Sequence, residues 1–286
     1  MKTHAGRMRL APIALILLAA SWGLAFVIMK DSIERQNVNS FLFTRFAVAV
    51  LFLVAFRPTI FRQITQDLFI KAFAAGLLLG AGYMLQTEGL ARTGAAITGF
   101  VTGLYVVATP LISALFLRKK ISLFTWGCVA LATVGLALLS LRGWSMGFGE
   151  FLVLLCAIAF GAHIVALGQW SAGRDVYAMT VIQLAMCAIL SGIASIPGGY
   201  SAPPDSGVWA VVVFTAVFAT AIAFIVQTWS QAHMSATKVA VILTMEVVFA
   251  AVFAILFGGE RLTLQSAIGG VLVIVAMYLI VLKEQK

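Results

Sequence analysis

Polar surface is what this sequence lacks. Only 10% of its 286 residues are charged and 62% are hydrophobic, whereas a soluble domain mixes about 25% charged with roughly 45 to 50% apolar residues. A chain so short of charge cannot coat a water-soluble globule, which excludes a soluble enzyme or binding module. Histidine is equally scarce: His4, His163 and His233 are too few and too scattered for a zinc helix of the HExxH kind. The aspartates Asp31, Asp67, Asp175 and Asp205 all fall between apolar runs, so no intramembrane aspartyl pair is available. The three cysteines, Cys128, Cys156 and Cys187, each sit inside an apolar run, where buried small side chains are expected rather than a disulfide framework. No metal, no cofactor and no enzymatic reaction are expected.

What the sequence has instead is long apolar runs, with a mean hydropathy of +1.07. About 20 apolar residues cross a hydrocarbon core of roughly 30 Å as a helix. Runs of that kind lie near 10–29, 39–56, 68–90, 94–117, 121–141, 147–170, 177–196, 208–232, 235–257 and 262–282. They are continuously apolar and do not alternate, which selects helices over barrel strands. The expected fold class is all-α integral membrane, with ten transmembrane helices and no soluble domain. The first run has a basic leader and a small-residue stretch, LLAAS, that resembles a signal-peptidase site. It is longer than an h-region of about 7 to 15 residues and Trp22 follows directly, so a retained helix is expected.

The net charge of +9 reports orientation, and no nucleic-acid partner is expected. With a cytoplasmic N-terminus, the inner segments hold Lys2, Arg7, Arg9, Arg57, Arg62, Lys71, Arg118, Lys119, Lys120, Arg174, Lys238, Lys283 and Lys286. The outer ones hold Lys30, Arg35, Arg92, Arg142 and Arg261, and Arg45 stays inside the second span. This is the bias that the positive-inside rule requires; it places both termini in the cytoplasm.

The two halves of the chain repeat one pattern. GYMLQTEGLARTGAA, from Gly82, lies over AFIVQTWSQAHMSAT, from Ala223, so that Gln86 meets Gln227, Thr87 meets Thr228, Ala91 meets Ala232 and Ala95 meets Ala236 (227 − 86 = 141). The same separation pairs Phe73 with Phe214, Val106 with Val247, Leu115 with Leu256 and Leu123 with Leu264. The expected organisation is a first five-helix repeat at 1–143 and a second at 144–286. An odd number of crossings inverts the second copy, and inverted repeats suit alternating access around a midplane site. A duplicated chain already contains what a half-length relative builds from two subunits, so a monomer is compatible with it.

Polar stripes mark the candidate site. Thr98, Thr102, Tyr105 and Thr109 share one face of the fourth span; Thr220, Phe224, Gln227 and Gln231 share one in the eighth; Leu79, Tyr83, Gln86 and Leu90 are their counterparts in the third. An isolated hydroxyl or amide in hydrocarbon costs roughly 4 to 8 kcal/mol, so these faces should turn to protein or water. A central amphipathic cavity is expected between the third, fourth, eighth and ninth helices, with the first and sixth nearby; hydrogen bonding between helices is the alternative. Within VAVILTMEVVFAAVFAILF, from Val239, Glu246 sits near the middle of a span, where a charge costs roughly 2.5 to 3.5 kcal/mol. It can hold a substrate ammonium, exchange a proton, or tie helices together with help from Arg45 or His163. His163 invites a proton relay or a packing hydrogen bond. Arg45 either snorkels or meets a substrate carboxylate, and Trp22 can cap the cavity. Gly76 with Gly80, and Gly99 with Gly103, are close-packing GxxxG steps, while Pro110 should bend the fourth helix. PGGYSAPPDSG, from Pro197, reads as turn.

GFVTGLYVVATPLISALFLRKKIS, from Gly99, and TMEVVFAAVFAILFGGERLTLQSAIGG, from Thr244, resemble the repeated signatures of the ten-helix, EamA-type branch of the drug/metabolite transporter superfamily. The resemblance spans the whole chain and is nearest to aromatic amino acid exporters of the YddG type. It implies a bacterial inner-membrane, multi-pass exporter of amino acids and other small metabolites. Other amphipathic metabolites or drugs, or a passive channel, are the alternatives. The site residues would be Trp22, Tyr83, Gln86, Thr98, Thr102, Tyr105, His163, Gln227 and Glu246, and the partners a small-molecule substrate and the lipid bilayer. Many relatives carry Glu-Pro where this chain has Glu246-Val247, so no proline kink is expected in the ninth helix.

Overall fold

The computed structural model describes residues 2–117, 122–142, 145–234, 239 and 242–284. Expectations resting on Arg118, Lys119, Lys120, Ala236, Lys238 and Lys286 lie outside the described residues. The chain begins with α1 (Lys2–Arg35), α2 (Val38–Phe56), a 3-10 turn (Pro58–Gln63) and α3 (Gln66–Leu90). Then follow α4 (Ala95–Thr102), α5 (Tyr105–Leu117) and α6 (Leu123–Ser140). A two-residue antiparallel pair, β1 (Leu141–Arg142) with β2 (Ser145–Met146), joins the halves, a small addition to the expected all-helical chain. The second half holds α7 (Phe148–Trp170), α8 (Val176–Ser195), α9 (Ser206–Ala216), a π-helical turn (Val217–Ile222), α10 (Ala223–His233), α11 (Met245–Leu256) and α12 (Leu264–Glu284).

Among the described residues, seven segments are long and apolar enough to cross a membrane: Ala11–Arg35, Val38–Phe56, Gln66–Leu90, Ala95–Phe116, Phe148–Trp170, Val176–Ser195 and Ser206–His233. Three shorter apolar helices, Trp126–Leu138, Met245–Leu256 and Leu264–Leu279, occupy the places of the fifth, ninth and tenth expected spans. Large apolar side chains such as Leu17, Leu51, Leu115 and Leu264 are mostly exposed, the surface that a lipid solvent rewards. Side chains at the starts of helices satisfy amides that a helix leaves unpaired. Asn37 accepts from the amides of Asn39 and Ser40, Thr65 from Leu68, Asp175 from Ala178 and Asp205 from Val208.

Close packing follows the small residues. α3 lies on α8 through Gly76 and Gly80: a Cβ at Gly76 would come within 2.8 Å of the Met186 Cβ, and one at Gly80 within 2.7 Å of Leu190. α4 lies on α11 where a Cβ at Gly99 would come within 2.5 Å of the Ala250 Cβ. α1 packs on α11, α6 on α12, and α2 on α8.

Several expected continuous spans are interrupted. The fourth turns tightly at Gly103–Leu104 between α4 and α5, where Leu104 bonds the Val101 carbonyl at 3.1 Å and Val106 bonds that of Gly103 at 3.1 Å, a three-residue spacing. Pro110 lies further along, inside α5. The eighth passes through the π turn, an insertion in the ladder that leaves carbonyls for other donors.

Candidate functional site

The two helix breaks of the fourth and ninth spans fall at matching positions. Thr244 stands as a turn before α11, and Val247 bonds its carbonyl at 3.0 Å, as Val106 bonds that of Gly103. The separation is 244 − 103 = 141, the repeat offset. Each break is followed two residues on by a polar side chain facing one void: Tyr105 after Gly103, Glu246 after Thr244. That void opens at a mouth, and the space counted out to that mouth is about 490 Å³. Its wall comes from α1 (Trp22, Ala25, Phe26, Met29), α2 (Arg45), α3 (Leu79, Tyr83, Gln86), α5 (Tyr105), α7 (Phe160, His163, Ile164), α10 (Phe224, Gln227) and the ninth span (Leu243, Glu246).

The π turn supplies one polar corner. The Ala219 carbonyl accepts from Trp22 Nε1 at 2.8 Å and from Arg45 at 3.3 Å, and the Thr220 hydroxyl accepts from Arg45 Nε at 2.8 Å. The guanidinium carbon lies 5.2 Å from the Tyr83 ring centre, within cation–π reach. Arg45 is 1% exposed, so its guanidinium is enclosed by protein.

Glu246 forms the other corner. It is 4% exposed, and no described side chain bonds to it. Arg45 is held by Thr220 and Ala219, and His163 by Gln183. The helix-tie reading of Glu246 therefore has neither of its named partners. Among the buried polar atoms without a hydrogen-bond partner, two belong to lining residues, the Tyr105 hydroxyl and the Gln227 side-chain carbonyl, and such groups are costly unless something meets them. Gln227 spends its amide on Gln231 at 3.1 Å, which in turn donates to the Ile164 carbonyl at 2.9 Å. His163 Nε2 lies 2.7 Å from Gln183 Oε1, and Gln183 donates its amide to Met179. That orientation makes Nε2 the donor and leaves Nδ1 as the acceptor of the neutral ring.

The structure thus brings Trp22, Tyr83, Gln86, Tyr105, His163, Gln227 and Glu246 around one cavity. Thr98 and Thr102 lie outside its lining. The Thr98 hydroxyl is spent on the Gly94 carbonyl at 2.9 Å, and Thr102 accepts from Gln86 at 3.2 Å. A face projected along a continuous helix does not survive the tight turn at Gly103–Leu104. Arg45, Phe26, Met29 and Phe160 join the lining in addition. The depth of Arg45 within α2 signals its role; nothing distinguishes Phe160 from its apolar neighbours.

Both ends of the bundle are tied by polar contacts. At one, Lys30 donates to the Thr93 carbonyl at 2.6 Å, Thr93 donates to Glu150 at 3.0 Å, and Glu260 accepts the amides of Ala95 and Ala96 at 2.6 and 3.2 Å. Arg35 pairs there with Asp205 at 2.6 Å. The amide of Val208, more than Arg35, holds the Asp205 carboxyl below its ordinary range. At the other end Arg57 pairs with Asp175 at 3.1 Å and Arg174 with Asp67 at 2.7 Å.

Apolar helices long enough to cross a membrane, set around an amphipathic cavity, make this a multi-pass membrane protein. The sequence model of the EamA-like transporter family matches twice, at residues 9–141 and 147–282. An uncharacterized transporter of Archaeoglobus fulgidus is 31% identical over 274 residues, covering 96% of this chain and 86% of that protein. This chain belongs to the EamA-like transporter family. A solved crystal structure superposes with a TM-score of 0.70, covering 98% of this chain and 99% of that one; at 18% identity the likeness shows the fold alone.

Proposed function

We propose that this protein is a secondary transporter of ten spans, with both termini cytoplasmic, that exports neutral and aromatic amino acids and related small metabolites across a bacterial-type inner membrane by alternating access. The observation that carries this reading is the pair of helix breaks at Gly103 and Thr244, one per repeat, facing a single chamber that both halves line. Two inverted five-helix units, 1–143 and 144–286, would account for that correspondence. The twofold match of the family model supports the duplication. The chamber wall suits a solute with an apolar body: Trp22, Phe26, Tyr83, Phe160 and Phe224 supply aromatic surface, and Gln86, Gln227 and Tyr105 supply hydrogen-bonding groups. In this reading Glu246, on the same wall, holds the ammonium group.

Liposome counterflow with a panel of labelled amino acids, with and without a pH gradient, tests the reading. Saturable exchange of neutral and aromatic amino acids is the expected result. Unsaturable conductance would assign a channel instead, and exchange of only non-amino-acid amphiphiles would replace the substrate class.

A further inference from the structure

Arg45 is the largest fully buried side chain among the described residues. Its guanidinium has five N–H donors. One meets Thr220 Oγ1 at 2.8 Å, one the Ala219 carbonyl at 3.3 Å, and one the Met29 sulfur at 3.1 Å, a weak acceptor. All three acceptors are neutral. Among the described residues Arg45 enters no ion pair, neither with Glu246 across the cavity nor with any other carboxylate. The Tyr83 side chain also stands within hydrogen-bond reach of the guanidinium, and the positive charge is left without an anion among the described residues. Intramembrane cations are expensive and mark solute pathways, and cation–π contact with Tyr83 and Phe46 offsets only part of the cost.

The rest of the wall limits which anion fits. Arg45 is the single cation among the lining residues, and Glu246 lines the same void. A phosphate or other dianion would meet one positive charge and one carboxylate, whereas a monocarboxylate needs a single planar fork and tolerates Glu246 beside its body. A guanidinium fork matches a carboxylate through paired N–H bonds. Resting on the transport reading, we propose that Arg45 is the carboxylate anchor of the solute site, held at the cavity wall through Ala219 and Thr220 by the π-helical turn. The ligand class is a monocarboxylate on an apolar body.

The test compares matched ligands on purified protein: phenylalanine with phenylalaninamide, and leucine with leucinamide, measured by protection against thermal unfolding. The wild type should bind each acid at least about tenfold more tightly than its amide, the scale of a hydrogen bond to a charged group. Arg45→Gln should erase that preference, and Arg45→Lys, which keeps the charge and loses the fork, should reduce it. A wild type indifferent to the carboxylate overturns the proposal, as does protection by neither member of any pair. Equal weakening of acids and amides by Arg45→Gln also overturns it, since a helix tie would behave so. Should Arg45→Gln not fold, an Arg45→Lys variant that retains the full preference overturns it too. Flux separates this from the transport reading. Saturable amino acid counterflow without carboxylate preference keeps transport and sinks the anchor; carboxylate-selective binding without flux does the reverse.

Discussion

The third and eighth spans stand at matching places in the two sequence repeats, yet they are built differently. α3 runs unbroken from Gln66 to Leu90, and its glycines Gly76 and Gly80 let α8 approach closely. Under the 141-residue offset those glycines meet Val217 and Ala221, which lie in the π turn of the eighth span. There no close approach is needed; a released carbonyl takes donors from Trp22 and Arg45 instead. The partner helices differ in the same sense. Eight residues past its capping residue, Asn37, α2 places Arg45, and eight past Asp175, α8 places Gln183. One copy puts a cation against a disrupted ladder. The other puts a neutral amide against His163 and a close-packed glycine face. The two stretches that the family model matches therefore offer similar frames, and local backbone chemistry makes their polar content unlike.

The largest expected effect concerns the fourth and ninth spans, where Tyr105 and Glu246 correspond (246 − 105 = 141). Glu246→Gln should fold and lose at least about tenfold in amino acid counterflow, the scale of one charged hydrogen bond, while Tyr105→Phe should lose less. Equal losses would mean that the two breaks play equal parts, and wild-type flux in Glu246→Gln would make that carboxyl a scaffold. Next comes packing. Gly76→Leu drives a side chain into Met186 and the Gln183 backbone and should cost roughly 1 to 3 kcal/mol in detergent melts, whereas Val217→Leu in the other copy should cost less. Thr220→Val leaves Arg45 Nε without its acceptor and should cost roughly 1 to 3 kcal/mol. The smallest effect separates the caps of α3 and α9. Thr65→Ala should cost about 0.5 to 2 kcal/mol at every pH. Asp205 has a depressed folded pKa, so its contribution is present above the ordinary value of 3.8 and lost as pH falls through the lower folded value. The melting difference between wild type and Asp205→Asn should vanish in acid, while that of Thr65→Ala persists.

Hydropathy made the helical segments legible because a lipid solvent demands long apolar runs, and the spacing of Tyr83, Gln86 and Gln227 carried most of the polar wall. Periodicity fails where the backbone departs from 3.6 residues per turn. The breaks at Gly103 and Thr244 and the π turn leave no trace in composition, and Thr98 and Thr102 were assigned to the cavity for that reason. Arg45 stayed ambiguous in the sequence because snorkelling and solute contact differ only in depth. In the fold the side chain is buried among α1, α3 and the eighth span.

The rungs at Gly103 and Thr244 are already of the tighter, three-residue kind. A bend at Gly103 would leave the regular ladders of α4 and α5 intact, which is not true of a bend at any point along α3, α7 or α8. Tyr105 and Glu246 on the cavity wall each stand two residues past such a rung, so whatever occupies the cavity bears on side chains carried just beyond both of them.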